Sequence, residues 1–253
     1  MKLTEKEVIF FMEMNDNTMD KLFIVIPAYN EEENLEKLIA DWYPIVEKCG
    51  AESRLVVIDD GSRDKTYQII CDLAKTHSQL IPLTKENGGH GSTLIYGYRY
   101  AIENSADYIF QTDSDGQTNP DEFETFWELR NDYDAILGHR SSRGDGVSRA
   151  LVEKVVCLLL RIYFGVKVPD ANAPFRLMKA GLVAKYIDRF KPDYNLPNIM
   201  LTTFFAYYKE KIKFIEVSFA SRQGGVNTIN FKKIFKIGLN AIKDFREFKK
   251  ELK

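Results

Sequence analysis

From Leu22 onward the chain alternates short uncharged apolar runs with longer segments whose apolar residues recur every three or four positions. The runs are Leu22 to Ile26, Leu55 to Ile58, Ile81 to Leu83, Tyr108 to Phe110 and Ala135 to Leu137, and their length predicts buried strands. The segments between them, Glu32 to Ile45, Asp64 to His77, Ser92 to Asn104 and Asp121 to Asn131, predict amphipathic helices. Strands that alternate with helices pair in parallel and are covered on both faces. The expectation is an α/β fold with a mostly parallel central sheet.

In such a sheet, ligands bind beyond the carboxyl ends of the strands. Those ends are strongly polar here. The first run leads into Pro27-Ala28-Tyr29-Asn30-Glu31, the second into Asp59-Asp60-Gly61-Ser62 and the fourth into Thr112-Asp113-Ser114-Asp115. After residue 140 the rhythm gives way to a Gly- and Arg-containing loop, Arg140 to Arg149, then a helix-like stretch to Phe164. A last strand candidate, Ile212 to Ser218, precedes Ser221-Arg222-Gln223-Gly224-Gly225. The chain divides into an N-terminal extension (1–20), a nucleotide-side half (21–140), an acceptor-side half of the same domain (141–225) and a basic amphipathic tail helix (226–253).

The 253 residues are 45% hydrophobic, enough to bury one large core. The 37 acidic and 35 basic residues nearly cancel, so no global field draws a polynucleotide, and nucleic acid is excluded as the default partner. Cys49, Cys71 and Cys157 are odd in number and lack paired spacing, which fits structural thiols in a reducing compartment. The first twenty residues set Glu5, Glu7, Glu13, Asp16 and Asp20 around a short Val8 to Met12 run, too acidic for an export signal. The longest uncharged apolar run, Val155 to Leu160, falls far short of the roughly 20 residues that span a bilayer. These features predict a cytoplasmic protein without a membrane span.

Breaking a bond to a diphosphate builds charge on the leaving group, and a divalent cation on hard oxygen ligands offsets it. Asp113 and Asp115 stand two residues apart at a strand exit, so both can face one Mg²⁺ or Mn²⁺ ion, with Gln117 as a third ligand. A solvated turn is the competing reading in a chain that is 28% charged. Asp113, Asp115, Gln117 and Glu124 also match positions of a calcium loop, but Thr118 stands where that loop needs glycine and Pro120 interrupts it. Asp59 or Asp60 can accept hydrogen bonds from a nucleobase or ribose, or can serve an ordinary strand-to-helix turn in which Asp64 caps the next helix. Asn87-Gly88-Gly89-His90-Gly91 offers backbone N–H groups and a helix N-terminus to phosphates.

Taken in order, Ile24-Val25-Ile26-Pro27-Ala28-Tyr29-Asn30-Glu31, Val57-Ile58-Asp59-Asp60-Gly61-Ser62, Asp113-Ser114-Asp115-Gly116-Gln117 and Gly138-His139-Arg140 resemble the family 2 glycosyltransferases of GT-A fold. The pattern is most similar to the branch holding the dolichol- and polyprenyl-phosphate sugar synthases, and it spans Leu22 to Met178. That resemblance implies a UDP- or GDP-linked hexose donor, with Pro27, Tyr29 and Glu31 lining the nucleotide and Asp59 or Asp60 meeting its base. It implies that Asp113, Asp115 and Gln117 hold the metal. Arginines matching Arg140 and Arg149 grip an acceptor phosphate in that branch, a task suited to the guanidinium fork; loop salt bridging is the competing reading.

Inversion by in-line attack is also implied, and Asp170, ahead of Ala173-Pro174-Phe175-Arg176, is the candidate base. A sugar-hydroxyl acceptor needs such a base; a lipid phosphate does not. The acceptor stays open between a polyprenyl phosphate and a glycan or lipid-linked sugar in cell-surface polysaccharide synthesis. The Gln-x-x-Arg-Trp motif of processive synthases is missing, since Arg222-Gln223-Gly224-Gly225 lacks the tryptophan, so one sugar per encounter is expected.

In the tail, Ile234, Phe235, Gly238, Ala241, Ile242, Phe245 and Phe248 follow helical spacing among seven lysines, which fits either a peripheral helix on the inner face of a membrane or a terminal helix packed on the domain. Phe204-Phe205-Ala206-Tyr207-Tyr208 fits a lipid contact or core. Two other functions compete. A sugar nucleotidyltransferase resembles this chain in its sheet but carries a glycine-rich loop with arginine where Ala28 to Glu31 stand. A non-catalytic membrane-associated binding module would not need the intact Asp113 and Asp115.

Overall fold

The computed structural model describes residues 20–140, 147–220 and 241–250, with the side chains of 147–151 outside that description. In chain order the elements are β1 (Leu22–Ala28), α1 (Leu35–Cys49), β2 (Arg54–Asp59), α2 (Thr66–Ala74), β3 (Leu80–Thr84), α3 (His90–Glu103), β4 (Tyr108–Thr112), a 3₁₀ turn (Pro120–Glu122), α4 (Phe123–Glu128), β5 (Ala135–Arg140), α5 (Val147–Phe164), β6 (Phe175–Lys179), α6 (Ala180–Ile187), α7 (Pro197–Tyr207) and β7 (Ile212–Val217). Residues 241–250 are helical.

The strands form one seven-stranded sheet in the order β3-β2-β1-β4-β6-β5-β7. Only β6 opposes the rest, pairing antiparallel with both β4 and β5. The five apolar runs became β1 to β5 and the last candidate became β7, but β6 has no counterpart among the expected strands. Its Phe175-Arg176-Leu177-Met178-Lys179 carries an arginine in the middle, which masks the apolar run; that arginine is buried, at 1% exposure.

Every residue of β1 is buried, and strand alternation sends them to two cores. Leu22, Ile24 and Ile26 meet Trp42, Phe110 and Phe175 under α1 and α4. Phe23 and Val25 face α3, α6 and α7 with Leu94, Tyr98 and Phe204. In α1 the buried Leu35, Leu38, Ile39, Trp42, Tyr43 and Val46 keep helical spacing, each such apolar side chain stabilising by about 1.5–3 kcal/mol when fully buried. The helix runs four residues beyond the expected Ile45, through Pro44, because its apolar stripe continues to Val46 and Cys49.

The aromatic stretch on α7 splits: Phe204 and Phe205 are core, while Tyr207 and Tyr208 are exposed. Helix 241–250 turns its apolar face inward, with Phe245 against Tyr163 and Phe164 and Phe248 against Phe190, Tyr194 and Phe204. Within the described part of the tail, the domain itself therefore covers Ala241, Phe245 and Phe248. The remainder of 226–253 lies outside the described residues, as do 1–19 and the 221–225 loop. Among the described residues, no helix is long and apolar enough to cross a membrane.

Candidate active site

Because β1 to β5 and β7 share one direction, Ala28, Asp59, Thr84, Thr112, Arg140 and Val217 all end on one sheet edge. The antiparallel β6 starts there, which brings Asp170 to Pro174 to the same edge. All the expected site residues with described side chains gather along it. A larger surface cavity, about 570 Å³, lies at the opposite edge among Asp20, Asp107, Asp134 and Lys179, away from all of them.

The loops after β1 and β2 are laced together. Asn30, held at φ 53°, donates its N–H to Ser62 Oγ and accepts from the Arg63 N–H. Glu31 N–H donates to Thr66 Oγ1, and the N–H groups of Lys65 and Glu32 donate to Glu32 and Asp64 carboxylates. Pro27 and Glu31 are buried, Tyr29 is 38% exposed, and Asn34 Nδ2 bonds Glu31 Oε2 at 2.6 Å. The result is a hydrogen-bonded floor from which the Tyr29 ring stands exposed.

Asp59 and Asp60 are both 3% exposed. Asp59 accepts from Ser62 N–H and Thr84 Oγ1. Asp60 accepts from Lys85 Nζ at 2.7 Å and from the N–H groups of Gly88 and Gly89 at 2.9 and 2.8 Å. Two of the glycine loop's donors, the N–H groups of Gly88 and Gly89, expected to face phosphates, are therefore taken up by Asp60. Lys85, which the sequence reading passed over, completes that pair. Gly61, at φ +66°, must be glycine: a Cβ there would sit 2.8 Å from the Asn87 backbone nitrogen.

At the β4 exit, Thr112 Oγ1 and Thr118 Oγ1 meet at 2.7 Å and close the loop that carries both aspartates. Asp113 Oδ1 accepts from Gln111 Nε2 at 3.0 Å and lies 3.7 Å from His90 Nε2, at the N-terminus of α3. Asp113 and Asp115 are partly exposed, and Asp115 Oδ1 accepts from the Gln117 N–H. Gln117, expected as a third ligand, is buried at 3% exposure, with Nε2 donating to the Ala220 carbonyl at 2.7 Å. Its amide holds the segment after β7 against the loop. Among the described residues, no group of three or more His, Cys, Asp or Glu converges to hold a metal.

Across β6, Arg140 and Asp170 form a two-pronged pair, Nε to Oδ2 at 2.8 Å and Nη2 to Oδ1 at 3.1 Å. Asp170 is 3% exposed and also accepts from the Asn172 N–H. Glu153 of α5 approaches Arg140 at 4.0 Å and accepts from the Ala171 N–H, and the Arg140 guanidinium stacks over Phe219. The expected base and the expected phosphate clamp thus bind one another. Arg149 falls in α5, its side chain outside the described residues.

The sequence profile described as glycosyl transferase family 2 matches residues 23–187. The undecaprenyl-phosphate 4-deoxy-4-formamido-L-arabinose transferase of Pectobacterium atrosepticum is 27% identical over 217 residues, covering 85% of this chain and 64% of that protein. The protein of the same name from Photorhabdus laumondii is 26% identical, covering 88% of this chain and 67% of its own length. This chain thus spans about two thirds or less of such relatives. Among solved structures, Staphylococcus aureus TarS residues 1–349 with UDP-GlcNAc gives a TM-score of 0.60 at 19% identity, over 89% of this chain and 66% of that one. Glucosyl-3-phosphoglycerate synthase from Mycobacterium tuberculosis, with Mn²⁺, UDP-glucose and glycerol 3-phosphate, gives 0.60 at 20% identity, over 88% and 76%. At that identity the structures speak for the GT-A fold.

Proposed function

Because the chain belongs to glycosyl transferase family 2, we propose that it transfers a single sugar from a nucleoside diphosphate donor to a polyprenyl phosphate. The observation that carries this reading is the gathering, on one sheet edge, of the laced floor after β1 and β2, the Asp113-Asp115 pair and the Arg140 cluster. The names of the curated relatives support a phosphate acceptor. The chemistry supports it too, since an anionic acceptor has no proton to lose and Asp170 is fastened to Arg140.

In this reading the nucleotide of a UDP- or GDP-hexose lies along Pro27, Tyr29 and Glu31. Asp59 and Asp60 hold the floor beneath it through their turn bonds. Asp113 and Asp115 fit an ion of the Mg²⁺ or Mn²⁺ type, because such ions take one or two protein carboxylates and complete their shell with substrate phosphates. Bound there, the ion supplies positive charge to the departing diphosphate. An oxygen of the acceptor phosphate attacks the anomeric carbon opposite the diphosphate. The bond to the diphosphate oxygen breaks, its electron pair leaves with the nucleoside diphosphate, and the configuration inverts. Arg140, held by Asp170 through Nε and Nη2, brings its positive charge to the incoming phosphate.

A lipid acceptor must be met at a membrane surface. The outer face of α5 suits that contact: Val155, Leu158 and Ile162 are 48%, 55% and 63% exposed, and the exposed neighbours Lys154 and Arg161 are basic. On this reading the protein works peripherally at the cytoplasmic face.

The test is a donor panel. Purified protein with Mn²⁺, undecaprenyl phosphate and UDP-, GDP- or dTDP-sugars is expected to give a lipid-phosphate sugar from one donor by mass spectrometry. Transfer seen only to sugar hydroxyls would replace the acceptor, and failure to bind any donor would sink the transferase reading.

A further inference from the structure

A buried polar chain runs through the sheet to Asp113. Strand alternation puts Gln111 and Asp113 on the same face of β4, the face covered by α3 and α7. Asp113 Oδ1 accepts from Gln111 Nε2 at 3.0 Å, and Gln111 Oε1 accepts from Asn198 Nδ2 at 2.9 Å. Asn198 Oδ1 in turn accepts from Tyr98 Oη at 2.8 Å. Tyr98 and Gln111 are 0% exposed and Asn198 is 2% exposed, so water does not substitute for any member.

The direction of this chain is determined. An ionised carboxylate only accepts, so Gln111 must give it the amide nitrogen and turn its oxygen to Asn198. Asn198 must then give its nitrogen to Gln111 and turn its oxygen to Tyr98. Tyr98 can donate because burial pushes its hydroxyl well above the usual phenol range and keeps the proton on it. The backbone of Asn198 is fastened as well: its carbonyl accepts from Arg176 Nη1 and Thr202 Oγ1. Arg176 lies opposite Gln111 in the β4-β6 register and bonds the carbonyls of Ala171 and Ala173 besides.

We propose that Asn198 is a positioning residue for Asp113: through Gln111 it fixes which carboxylate oxygen is occupied and which way the other faces the donor's metal-diphosphate. The proposal rests on the reading of Asp113 as a metal ligand. Ligating carboxylates are oriented by the groups that hydrogen-bond them, and loss of such a partner costs about 10- to 100-fold in metal affinity.

The test titrates Mn²⁺ into the protein in the presence of UDP and counts free Mn²⁺ by electron paramagnetic resonance, with thermal unfolding run in parallel. Asn198→Leu, close in shape and unable to bond Gln111, is expected to weaken Mn²⁺ binding about 10-fold. Tyr98→Phe removes one oxygen and no packing, and a loss of about 3-fold is expected as a partial release of the same chain; it stands in if Asn198→Leu does not fold. Thr203→Val, buried on the same helix and bonded only to the Ile199 carbonyl, is expected to bind Mn²⁺ as wild type does. Wild-type binding that is abolished by Asp113→Asn but unchanged in folded Asn198→Leu and Tyr98→Phe overturns the positioning role alone. A wild-type protein that takes up no Mn²⁺ overturns the metal assignment and the positioning role together. An equal loss in Thr203→Val reduces the effect to general loosening of α7 and overturns the proposal.

Discussion

The two halves of the sheet edge satisfy their charges by different means. Beyond β1, β2 and β3 the aspartates are each held by backbone N–H groups, Asp60 by those of Gly88 and Gly89 with Lys85 beside them, Asp59 by Ser62 and Asp64 by Thr66. Beyond β5 and β6 a cation is held by an anion from a distant segment, Arg140 by Asp170, with Phe219 stacked beneath. The first arrangement is tied down by its own turns. The second is a buried ion pair whose members depend on each other. If the proposed function holds, a donor side built on turns and an acceptor side built on one paired arginine respond differently to substitution.

The largest effect belongs where the halves meet. Asp113→Asn is expected to lower kcat/KM by about 10³-fold, about 4 kcal/mol of transition-state stabilisation, with the unfolding midpoint nearly unchanged because the side chain is partly exposed and an asparagine Oδ1 still accepts from Gln111. Steady-state kinetics beside calorimetry checks both parts; a fall in stability as large as the fall in rate would make Asp113 structural. Arg140→Ala should show the opposite balance. It strands Asp170 at 3% exposure and is expected to cost about 3–5 kcal/mol of stability by denaturant titration. Arg140→Met with Asp170→Leu should recover most of that stability while transfer to a lipid phosphate stays lost. Transfer that returned along with stability would remove Arg140 from acceptor binding.

This contrast also explains what could be read from the chain. Strand runs β1 to β5, their polar exits and the Asp113-Asp115 pair were legible, because a parallel sheet imposes apolar periodicity locally and places ligand chemistry at strand ends. The partners of Gln117 and Asp170 were not. Gln117 bonds a carbonyl 103 positions away, Tyr98 bonds a residue 100 away and Glu122 receives the Ser218 N–H from 96 away. A side chain in a motif does not disclose a partner that distant. Nor does spacing disclose that Lys85 and the Gly88 N–H close on Asp60. Strand β6 escaped because Arg176 breaks an apolar run, and its guanidinium is buried only by virtue of carbonyls from Ala171, Ala173 and Asn198.

On the donor side the matching experiment is Asp60→Asn, which sets an amide against the Gly89 N–H and leaves Lys85, 18% exposed, without its anion. The expected cost is about 1–3 kcal/mol, smaller than for Arg140→Ala because backbone turns still hold the loop, with a raised KM for the donor. A KM rise for the lipid acceptor instead would erase the division between the halves.

The smallest effect separates local turn bonding from long-range packing by its sign. Burial raises the Asp64 carboxyl, but hydrogen bonds from Thr66 and the Glu32 N–H outweigh it and hold the group below its ordinary value. Such a group stabilises the fold above its unfolded pKa, about 3.9, and the contribution is lost as pH falls through the lower folded value. Asp244, in the helix packed under the acceptor half, is raised, first by burial and then by Glu247. Its ionisation at neutral pH opposes folding, an effect relieved as pH falls below the raised value. At pH 7 Asp64→Asn should therefore lower the unfolding midpoint and Asp244→Asn should raise it, each by an amount equivalent to under about 1 kcal/mol because both groups are partly solvated. Near pH 3 both variants should approach wild type. Midpoints that moved in the same direction at pH 7 would show that Asp244 is held by partners as Asp64 is, and the two halves would no longer differ in how they carry their carboxylates.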